Sequence, residues 1–383
     1  MRRLIALLAA VGAMLVLYAG GALAQGTPSS GGGADSYIVV LNEGVSNPGQ
    51  VANGFAQRDN LEVGFVYSHA LKGFSAVIPE ARVNDVRTDS RVKYIERDGT
   101  MRAVAQTLPW GIDKIDADTS STLAGNGSGA TANVHAYVID TGIDASHTDL
   151  SVTSHVDFAS GPDTDCNGHG THVAGTVAAK DNSSDVVGVA PGTSLHGVKV
   201  LGCGGTGSTS GVIEGVDWVT ANAIKPAVAN MSLGGGTSTA LDNAVRESAA
   251  SGVFYAVAAG NDGANACNSS PARAGAGTDN GIATVAATDR SDKEASWSNY
   301  GSCVDIWAPG VSILSTRKGG GTTTMSGTSM ASPHVAGGGA LYLSKDPVAS
   351  PTSVETALTN VATSTGTTSK DGHSIVREYV GGF

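Results

Sequence analysis

Apolar runs alternate with segments of helical periodicity between residues 132 and 343. The runs predict buried strands at residues 132–139, 194–201, 227–231, 253–258 and 282–287. Helical patterns lie between and after them, at residues 171–179, 210–223, 239–250 and 326–343. Continuous apolar strands separated by helices predict an α/β fold with a mainly parallel sheet covered by helices on both faces. A further helix over residues 353–360 and a short polar tail complete the prediction.

A smaller unit precedes this sheet. Its pattern predicts strands at residues 37–41, 63–67, 73–78 and 92–96, and helices at 47–59 and 79–87. The order strand, helix, strand, strand, helix, strand is typical of a ferredoxin-like α+β fold. Residues 97–105 then read as an exposed, cleavable junction.

The first 24 residues have the pattern of a secretory signal peptide. Arg2 and Arg3 precede the apolar segment 4–18, and Ala22-Leu23-Ala24 is a small-x-small cleavage site. An uncleaved anchor is the alternative, but the segment is short for a membrane span. Residues 25–34 have the composition of a flexible linker. We therefore expect secretion to the extracellular space, with the periplasm as the alternative, and no membrane association after cleavage.

Composition and charge exclude several other classes of protein. Only 15% of the 383 residues are charged and 53 are glycine, which favours a compact, loop-rich protein. Residues 1–102 carry 10 Lys or Arg and 9 Asp or Glu, so the remaining residues carry 13 and 25. An acidic body argues against nucleic acid as a partner. We expect a monomer.

An exported chain with four cysteines predicts disulfides. Four cysteines allow three pairings, of which the sequence-local one is the simplest: Cys166 with Cys203 and Cys267 with Cys303. Because no CxxC pair is present, we do not expect a zinc site.

Two polar residues lie where catalytic groups of α/β proteins lie. Asp140 ends the first apolar strand of the large unit, and His169 stands between two glycines at the start of a helix. A lone Asp at this position is more often a turn residue. His172 is three residues further on and is assigned to packing, because the pair lacks the Glu of an HExxH zinc motif.

Two more such residues complete the set. Asn261 follows the strand at 253–258, and Ser329 opens the small-residue helix at 326–343. Taken alone, Asn261 is more often a turn residue and Ser329 can be simply a helix cap. Together with Asp140 and His169 they can form an acyl-transfer site. In that site His169 is the base for Ser329, Asp140 orients the imidazole, and Asn261 with the Ser329 N–H binds an oxyanion.

Four sequence blocks carry a resemblance to a known family. They are Val-Ile-Asp-Thr-Gly around Asp140, Asn-Gly-His-Gly-Thr-His-Val-Ala-Gly around His169, Ala-Ala-Gly-Asn before Asp262, and Gly-Thr-Ser-Met-Ala-Ser-Pro-His around Ser329. The sequence resembles the subtilisin-like serine proteases, or subtilases. Residues 105–111, 165–168 and 297–303 resemble in particular the proteinase K-like subgroup. Residues 35–102 resemble the inhibitory propeptide of that family, and 103–383 its catalytic domain.

The resemblance implies a zymogen with a defined substrate site. The propeptide would assist folding, be cut autocatalytically near residues 102–106, and then inhibit the protease. The family resemblance also favours the sequence-local disulfide pairing. Substrate would bind as an added strand. The residues implied in substrate binding are Leu201, Gly202, Ser232, Leu233, Gly234, Ala259 and Gly260. Small, apolar linings imply a preference for apolar or aromatic residues on the acyl side of the cut bond.

The resemblance also implies structural Ca²⁺ and no organic cofactor. Asp305 matches a family calcium carboxylate, with carbonyl partners near Asn280 and Ile282, although residues 276–281 look lengthened. Asp113 and Asp116 match a second site, and a solvated acidic face is an equal alternative for them.

Three alternatives remain at this stage. A catalytically inactive member acting as a binding protein would be favoured by loss of a triad residue, and all three are present. An esterase of the α/β-hydrolase type would need a Gly-x-Ser-x-Gly elbow, which residues 327–331 do not provide. A kexin-like processing protease would carry a further domain, which is not predicted here, and an acid-lined pocket.

Overall fold

The computed structural model describes residues 34–99, 106–277 and 279–383. The predicted signal peptide, all but the last residue of the predicted linker, and residues 100–105 of the predicted cleavage junction lie outside these residues. Within the described segments, no helix is both long and apolar enough to cross a membrane. The chain divides into two compact units, Met1–Arg102 and Ala103–Phe383.

The first unit is a four-stranded antiparallel sheet with two helices. Its elements are β1 (Ala34–Leu41), α1 (Pro48–Asp59), β2 (Glu62–Tyr67), β3 (Gly73–Pro79), α2 (Glu80–Arg87) and β4 (Val92–Arg97). The strand order β2-β3-β1-β4 is that of the predicted ferredoxin-like fold. Phe55 of α1 and Phe74 of β3 are fully buried against each other, with ring centroids 5.6 Å apart.

The second unit is built on a nine-stranded sheet, in the order β16-β17-β13-β12-β10-β8-β5-β7-β6. Its strands are β5 (His135–Asp140), β6 (Val152–Asp157), β7 (Ser194–Lys199), β8 (Ala227–Met231), β10 (Val253–Ala258), β12 (Ile282–Thr288), β13 (Ile306–Pro309), β16 (Thr363–Thr368) and β17 (Ser374–Arg377). All neighbours pair in parallel except β16 with β17. Two small ladders lie outside it: β9 (Gly235–Gly236) with β11 (Ser269–Ser270), and β14 (Ile313–Thr316) with β15 (Thr322–Met325).

Helices cover both faces of this sheet, which confirms the predicted fold class. They are α3 (Trp110–Lys114), α4 (His169–Ala178), α5 (Thr209–Asn222), α6 (Thr239–Ala250), α7 (Thr328–Lys345) and α8 (Pro351–Val361). In the central strand β5, Val138 packs into the core beneath α4 and α7, whereas Tyr137 and Ile139 pack into the core beneath α5 and α6. Because successive strand residues point to opposite faces, an all-apolar strand must be buried on both.

Helix α7 approaches the sheet closely because of its small residues. A Cβ added to Gly337 would lie 2.5 Å from Cβ of Val189, and one added to Gly339 would lie 2.7 Å from the ring of Phe254. Any larger side chain would push the helix outward. The helix that begins beside Ser329 is therefore fixed against the strands that end at the site.

The end of the chain differs from the predicted polar tail. Residues 363–377 form the hairpin β16–β17, which joins the sheet edge beside β13. Ile375 and Val380 are fully buried. β16 contains no apolar residue and β17 contains only Ile375 and Val376, which is why periodicity did not reveal these two strands.

Candidate active site

Asp140 and His169 meet at the carboxyl edge of the sheet. Asp140 is the last residue of β5 and is fully buried, and His169 opens α4. Nδ1 of His169 lies 2.7 Å from Oδ1 of Asp140. Burial alone would lower the pKa of His169, but the charge of Asp140, its hydrogen bond and the charge of Asp165 raise the pKa above its usual value. The buried carboxylate therefore both orients the imidazole and stabilises its protonated form.

The loop that carries His169 is held by Asp165. Oδ1 of Asp165 accepts hydrogen bonds from Thr141 Oγ1 at 2.9 Å and from the backbone N–H groups of residues 167 and 168 at 3.0 and 2.7 Å. Its Oδ2 accepts from the N–H and the hydroxyl of Thr171 at 2.9 and 2.6 Å. This buried carboxylate accepts hydrogen bonds from N–H groups at the start of α4 that have no acceptor within the helix. Its negative charge also interacts favourably with the positive end of the helix dipole.

Ser329 lies in the first turn of α7, where backbone N–H groups lack intrahelical acceptors. Pro333 has no N–H to donate to the Ser329 carbonyl four residues earlier. The hydroxyl of Ser232 donates to that carbonyl instead, at 2.8 Å. The helix thus tolerates an internal proline next to the candidate nucleophile.

The hydroxyl of Ser329 donates to the carbonyl of Ser232 at 3.2 Å. Within the described residues, no hydrogen bond joins this hydroxyl to the imidazole of His169, although both side chains line one cleft. Such catalytic hydrogen bonds are often absent without substrate and tighten when it binds.

Asn261 is oriented by Thr328. Its Oδ1 accepts from the backbone N–H of Thr328 at 2.8 Å and from the Thr328 hydroxyl at 3.0 Å. Two donors on one oxygen fix the amide orientation, since a flipped amide would place NH₂ against both. The Nδ2 group of Asn261 is therefore left to donate elsewhere, next to Ser329.

One buried side chain also holds the loop around Asn261. Asn299 is 1% exposed, and its Nδ2 donates to the carbonyl of Ala259 at 2.9 Å. Its Oδ1 accepts from the N–H groups of Asp262 and Ala264 at 3.0 and 2.9 Å, and its own N–H donates to the carbonyl of Gly260. Gly260 has φ +106°, and a Cβ there would lie 2.3 Å from Asn299 Nδ2, so the contact requires glycine.

Two adjoining cavities surround these groups. A cleft of about 410 Å³ is lined, among others, by His169, Leu201, Ser232, Leu233, Gly234 and Ser329. A neighbouring pocket of about 270 Å³ is lined, among others, by Leu233, Gly234, Ala259, Gly260, Asn261 and Ser329. Gly202 lines neither and instead closes a turn, with its N–H donating to the carbonyl of Thr206. The exposed carboxylate of Asp262 also lines the smaller pocket, which the sequence analysis did not foresee.

The two other histidines nearby are packed. His172 is fully buried, and its Nε2 lies 3.0 Å from the carbonyl of Ile313. Burial lowers its pKa to about 4. His334 is likewise fully buried, with a pKa lowered by burial to about 4, and its Nδ1 lies 2.8 Å from the carbonyl of Met330.

Both disulfides have the sequence-local pairing. Cys166 is joined to Cys203 and Cys267 to Cys303, with Cα atoms 4.9 and 5.4 Å apart. The first pair connects the loop of His169 with the segment that follows Leu201.

The residues around Asp305 form a cradle of oxygen atoms. A Cβ added to Gly275 would lie 3.1 Å from Asp305 Oδ2, 2.9 Å from the carbonyl oxygen of Ile282 and 2.5 Å from Thr284 Oγ1. Burial, with smaller contributions from Glu355 and Asp279, raises the pKa of Asp305 to about 8. A buried carboxyl beside a carbonyl and other acids fits a hard cation such as Ca²⁺. Among the described residues, however, no group of three His, Cys, Asp or Glu side chains converges, so carbonyls and water would supply most ligands.

Asp113 and Asp116 do not form such a cradle. Burial and the neighbouring Asp118 raise the pKa of Asp116, whose backbone is left-handed with φ +60°. Lys114, between them, pairs with Asp292 at 2.8 Å. The two aspartates are thus one small acidic cluster with a cation already nearby.

Three positioning residues were missed by the sequence analysis: Asp165, Asn299 and Thr328. Thr328 lies in the block around Ser329, Asp165 lies four residues before His169, and Asn299 lies in Ser-Asn-Tyr-Gly at 298–301. The acidic residue before a helix start was a usable signal for Asp165. Asn299 offered none, since its partners are backbone groups of a distant loop.

Comparison with known proteins agrees with this geometry. The Subtilase family matches residues 132–380, and Peptidase inhibitor I9 matches residues 36–103. Alkaline serine exoprotease A of Vibrio alginolyticus is 43% identical over 364 residues, which are 87% of this chain and 65% of that protein. The extracellular serine proteinase of Thermus sp. (strain Rt41A) is 48% identical over 318 residues, covering 80% of this chain and 74% of that protein.

A solved structure of a cold adapted subtilisin-like serine proteinase is also similar. It has a TM-score of 0.64 and is 45% identical in sequence. The match covers 71% of this chain and 98% of that chain. The chain spans just under two thirds of the Vibrio relative, so its similarity concerns the shared portion. These matches confirm the predicted resemblance: the chain belongs to the subtilase family of serine proteases, and an I9 inhibitor domain precedes its catalytic domain.

Proposed function

We propose that the chain is a secreted serine endopeptidase that cuts peptide bonds through an acyl-enzyme. The observation that carries this proposal is the 2.7 Å contact of His169 Nδ1 with Asp140 at the edge of the cleft that Ser329 lines. A hydrogen bond from Nδ1 to the carboxylate leaves Nε2 as the basic nitrogen. Asp140, His169 and Ser329 are the proposed triad.

The proposed reaction has two halves. His169 Nε2 takes the Ser329 proton while Oγ attacks the scissile carbonyl carbon, and the carbonyl oxygen becomes an oxyanion. Asn261 Nδ2 and the Ser329 N–H, both near the start of α7, donate to that oxygen. The imidazolium then protonates the leaving amine, and water repeats the sequence to release the acid.

The proposed specificity is for apolar or aromatic residues on the acyl side. Leu233, Ala259 and Gly260 give the smaller pocket a small, apolar wall. Asp262 lies at its exposed side, where solvent screens its charge. Substrate would pair as a strand with the segments after β7 and β8, which include residues 201–202 and 232–234.

The proposed precursor has four parts: a signal peptide at 1–24, a linker at 25–34, an inhibitory propeptide at 35–102 and a catalytic domain at 103–383. Autocatalytic cutting between residues 102 and 106 would separate the last two. The match of an inhibitor family to residues 36–103 supports the inhibitory role. The basic and apolar N-terminus supports secretion.

We also propose structural Ca²⁺ at the Asp305 cradle. The ion would be held by Asp305 and carbonyls that include that of Ile282, and would neutralise a carboxylate that is otherwise costly to ionise. Asp113 and Asp116 are the candidates for a second site.

The test of the proposed function is Ser329→Ala beside Ser326→Ala. Ser326 is exposed, three residues away, and its Oγ accepts from the Ser312 N–H in the same region. Ser329→Ala is expected to abolish casein hydrolysis and leave the propeptide attached, whereas Ser326→Ala processes and cuts normally. Normal maturation of Ser329→Ala would refute the mechanism. Digestion of a peptide library tests the specificity, and cleavage restricted to Lys and Arg would refute the pocket assignment.

A further inference from the structure

The Cys166–Cys203 disulfide connects two parts of the candidate site. Cys166 lies three positions before His169, and Cys203 lies two after Leu201 in the segment proposed to bind substrate. The side chain of Asn167 adds one hydrogen bond across the same junction, from Nδ2 to the carbonyl of Cys203 at 2.9 Å. The covalent bond is therefore the main tether between the substrate segment and the histidine loop.

The two disulfides differ in their access to solvent. Cys203 is exposed and Cys166 is half-buried. Cys303 is only 3% exposed, and Cys267 packs with it against an apolar cluster that includes Trp307. Because thiol exchange requires in-line access to one sulfur, the exposed Cys203 is the more accessible half of the first disulfide to an external thiol.

A buried ammonium lies beside the other sulfur of the accessible disulfide. Lys199 ends β7, is fully buried, and donates to the carbonyls of Thr141 and Leu201 at 2.9 Å. Its Nζ lies 3.7 Å from Sγ of Cys166. Across the described segments, Lys199 takes part in no ion pair. Apart from the sulfur of Cys166, its hydrogen-bond partners are the neutral carbonyls of Thr141 and Leu201. The ammonium group of Lys199 is thus already positioned to stabilise a thiolate formed at Cys166.

We propose that Cys203 is a thiol-modification site and that Lys199 stabilises Cys166 as the leaving thiolate. A thiolate RS⁻ forms a bond to Cys203 Sγ, the Cys166–Cys203 bond breaks, and its electron pair stays on Cys166. A second RS⁻ attacks the external sulfur of this mixed disulfide, forming RSSR and releasing the Cys203 thiolate. Two external thiols are oxidised as the protein disulfide is reduced. A lower leaving-group pKa accelerates such exchange.

The consequence for activity rests on the proposed function. The histidine loop keeps its five hydrogen bonds to Asp165 after reduction. The substrate segment loses its covalent link to that loop, and it keeps the Asn167 contact, the turn that Gly202 makes with Thr206, and the hydrogen bonds of the Leu201 backbone to Asp140 and Lys199. Reduction should therefore weaken the binding of extended peptides and leave the chemical step intact. Loss of binding shared by ground and transition states appears in KM.

The first experiment locates the modification. Full-length Ser329→Ala, which cannot digest itself under the proposal, is treated with limiting glutathione, alkylated and mapped by mass spectrometry. We expect glutathione on Cys203, the alkyl group on Cys166, and reaction at least about tenfold faster than at Cys267–Cys303. Glutathione on Cys166, or equal rates at both disulfides, would overturn the proposal.

The second experiment tests the role of Lys199. Lys199→Met is compared with Lys318→Met, whose exposed ammonium contacts the Cys166 carbonyl rather than its sulfur. Reduction should slow about tenfold in Lys199→Met alone. Equal rates in both variants would remove Lys199 from the mechanism. If Lys199→Met does not fold, the position of the adduct in the first experiment still decides the site.

The third experiment measures the consequence. Cys166→Ser/Cys203→Ser is compared with Cys267→Ser/Cys303→Ser, using an extended peptide and a single-residue ester. We expect KM for the peptide to rise about tenfold in the first variant, with ester hydrolysis within about twofold of the wild type. Unchanged peptide KM would refute the tether. If the oxidised wild type hydrolyses neither substrate, the proposed function fails, while the glutathione position still decides the modification site.

Discussion

The loop of His169 and the loop of Asn261 are each held by one buried side chain, and the two side chains differ in charge. Asp165 accepts five hydrogen bonds as a carboxylate. Asn299 holds its loop as a neutral amide, which donates to one carbonyl and accepts from two N–H groups. Both are almost fully buried, so burial does not explain the difference.

The charge that each loop must support in the proposed reaction does explain it. His169 becomes a cation, and a nearby carboxylate favours that state. Next to Asn261 an oxyanion develops, and a carboxylate there would oppose it, whereas oriented dipoles stabilise it. The comparison shows that buried negative charge is concentrated on the histidine side of the site, whereas on the oxyanion side the carboxylate of Asp262 is exposed to solvent.

Removing the charge from the histidine side should have the largest effect. In Asp165→Asn, an NH₂ group must face at least two of the five donors. We expect the free energy of unfolding to fall by about 3 kcal/mol, because buried hydrogen bonds to a charge are replaced by unpaired donors. Chemical denaturation measures this loss.

The same variant should shift the pH profile. Asp165 contributes to the raised pKa of His169, and the base must be neutral to act. The acid limb of kcat/KM should therefore lie above the usual histidine pKa in the wild type and move to lower pH in Asp165→Asn. A limb that stays in place would mean that Asp165 acts only on the structure of the loop.

Adding charge to the oxyanion side should have the next largest effect. In Asn299→Asp, the new carboxylate faces the Ala259 carbonyl and lies under the loop of Asn261. We expect kcat/KM to fall about 100-fold at pH 9, mainly through kcat, because an oxyanion-hole donor is displaced. A protonated Asp could still donate to Ala259, so the ratio of variant to wild-type kcat/KM should recover toward pH 6.

A matched control separates this effect from general destabilisation. Asn182 also bridges loops, with Nδ2 donating to Asp149 Oδ1 at 2.6 Å, and it lies outside both cavities. Asn182→Asp places two carboxylates together and should lower the melting temperature, with kcat/KM within about twofold of the wild type. If Asn299→Asp behaves like Asn182→Asp, Asn299 has no special relation to the oxyanion side.

The sequence predicted the elements with clear apolar patterns. Strands Ala227–Met231 and Val253–Ala258 and helix Thr239–Ala250 have the predicted bounds, since each has a continuous or periodic apolar pattern. The strand Val152–Asp157 was missed because it is a sheet edge with half-exposed, mostly polar residues. The interior strand Ile306–Pro309 was also missed although it is fully buried, because four residues are too few to show a clear apolar pattern.

The site divides in a similar way. The positions of Asp140 and Asn261 follow from the rule that functional residues lie after parallel strands. Asn299 could not be found in this way, because it bonds backbone groups 35 to 40 residues away, in a loop with no repeating pattern. Its role depends on tertiary packing, which a single sequence does not encode locally.

A third buried carboxylate extends the comparison and should give the smallest effect. Asp165 is satisfied by five donors, whereas among the described residues Asp305 accepts one hydrogen bond, from the Thr284 N–H at 2.7 Å. Its pKa is raised to about 8, so without a cation the folded state holds a proton that the unfolded state releases near pH 4. Stability should therefore fall as pH rises from about 4 to about 8. Bound Ca²⁺ would remove this loss by replacing the proton.

Melting temperatures at pH 5 and pH 9, with Ca²⁺ or with chelator, measure this effect in the wild type and in Asp305→Asn. In chelator, the wild type should lose stability between pH 5 and pH 9 and Asp305→Asn should lose less, because its amide does not ionise. Ca²⁺ should restore the wild type at pH 9 by about 1 kcal/mol or more and have a smaller effect on the variant. Asp113→Asn is the control, since its carboxylate lies in the other acidic cluster. Equal calcium stabilisation of wild type and Asp305→Asn, with loss in Asp113→Asn, would move the proposed ion to the second cluster and leave Asp305 as a carboxyl that stays protonated in the folded state.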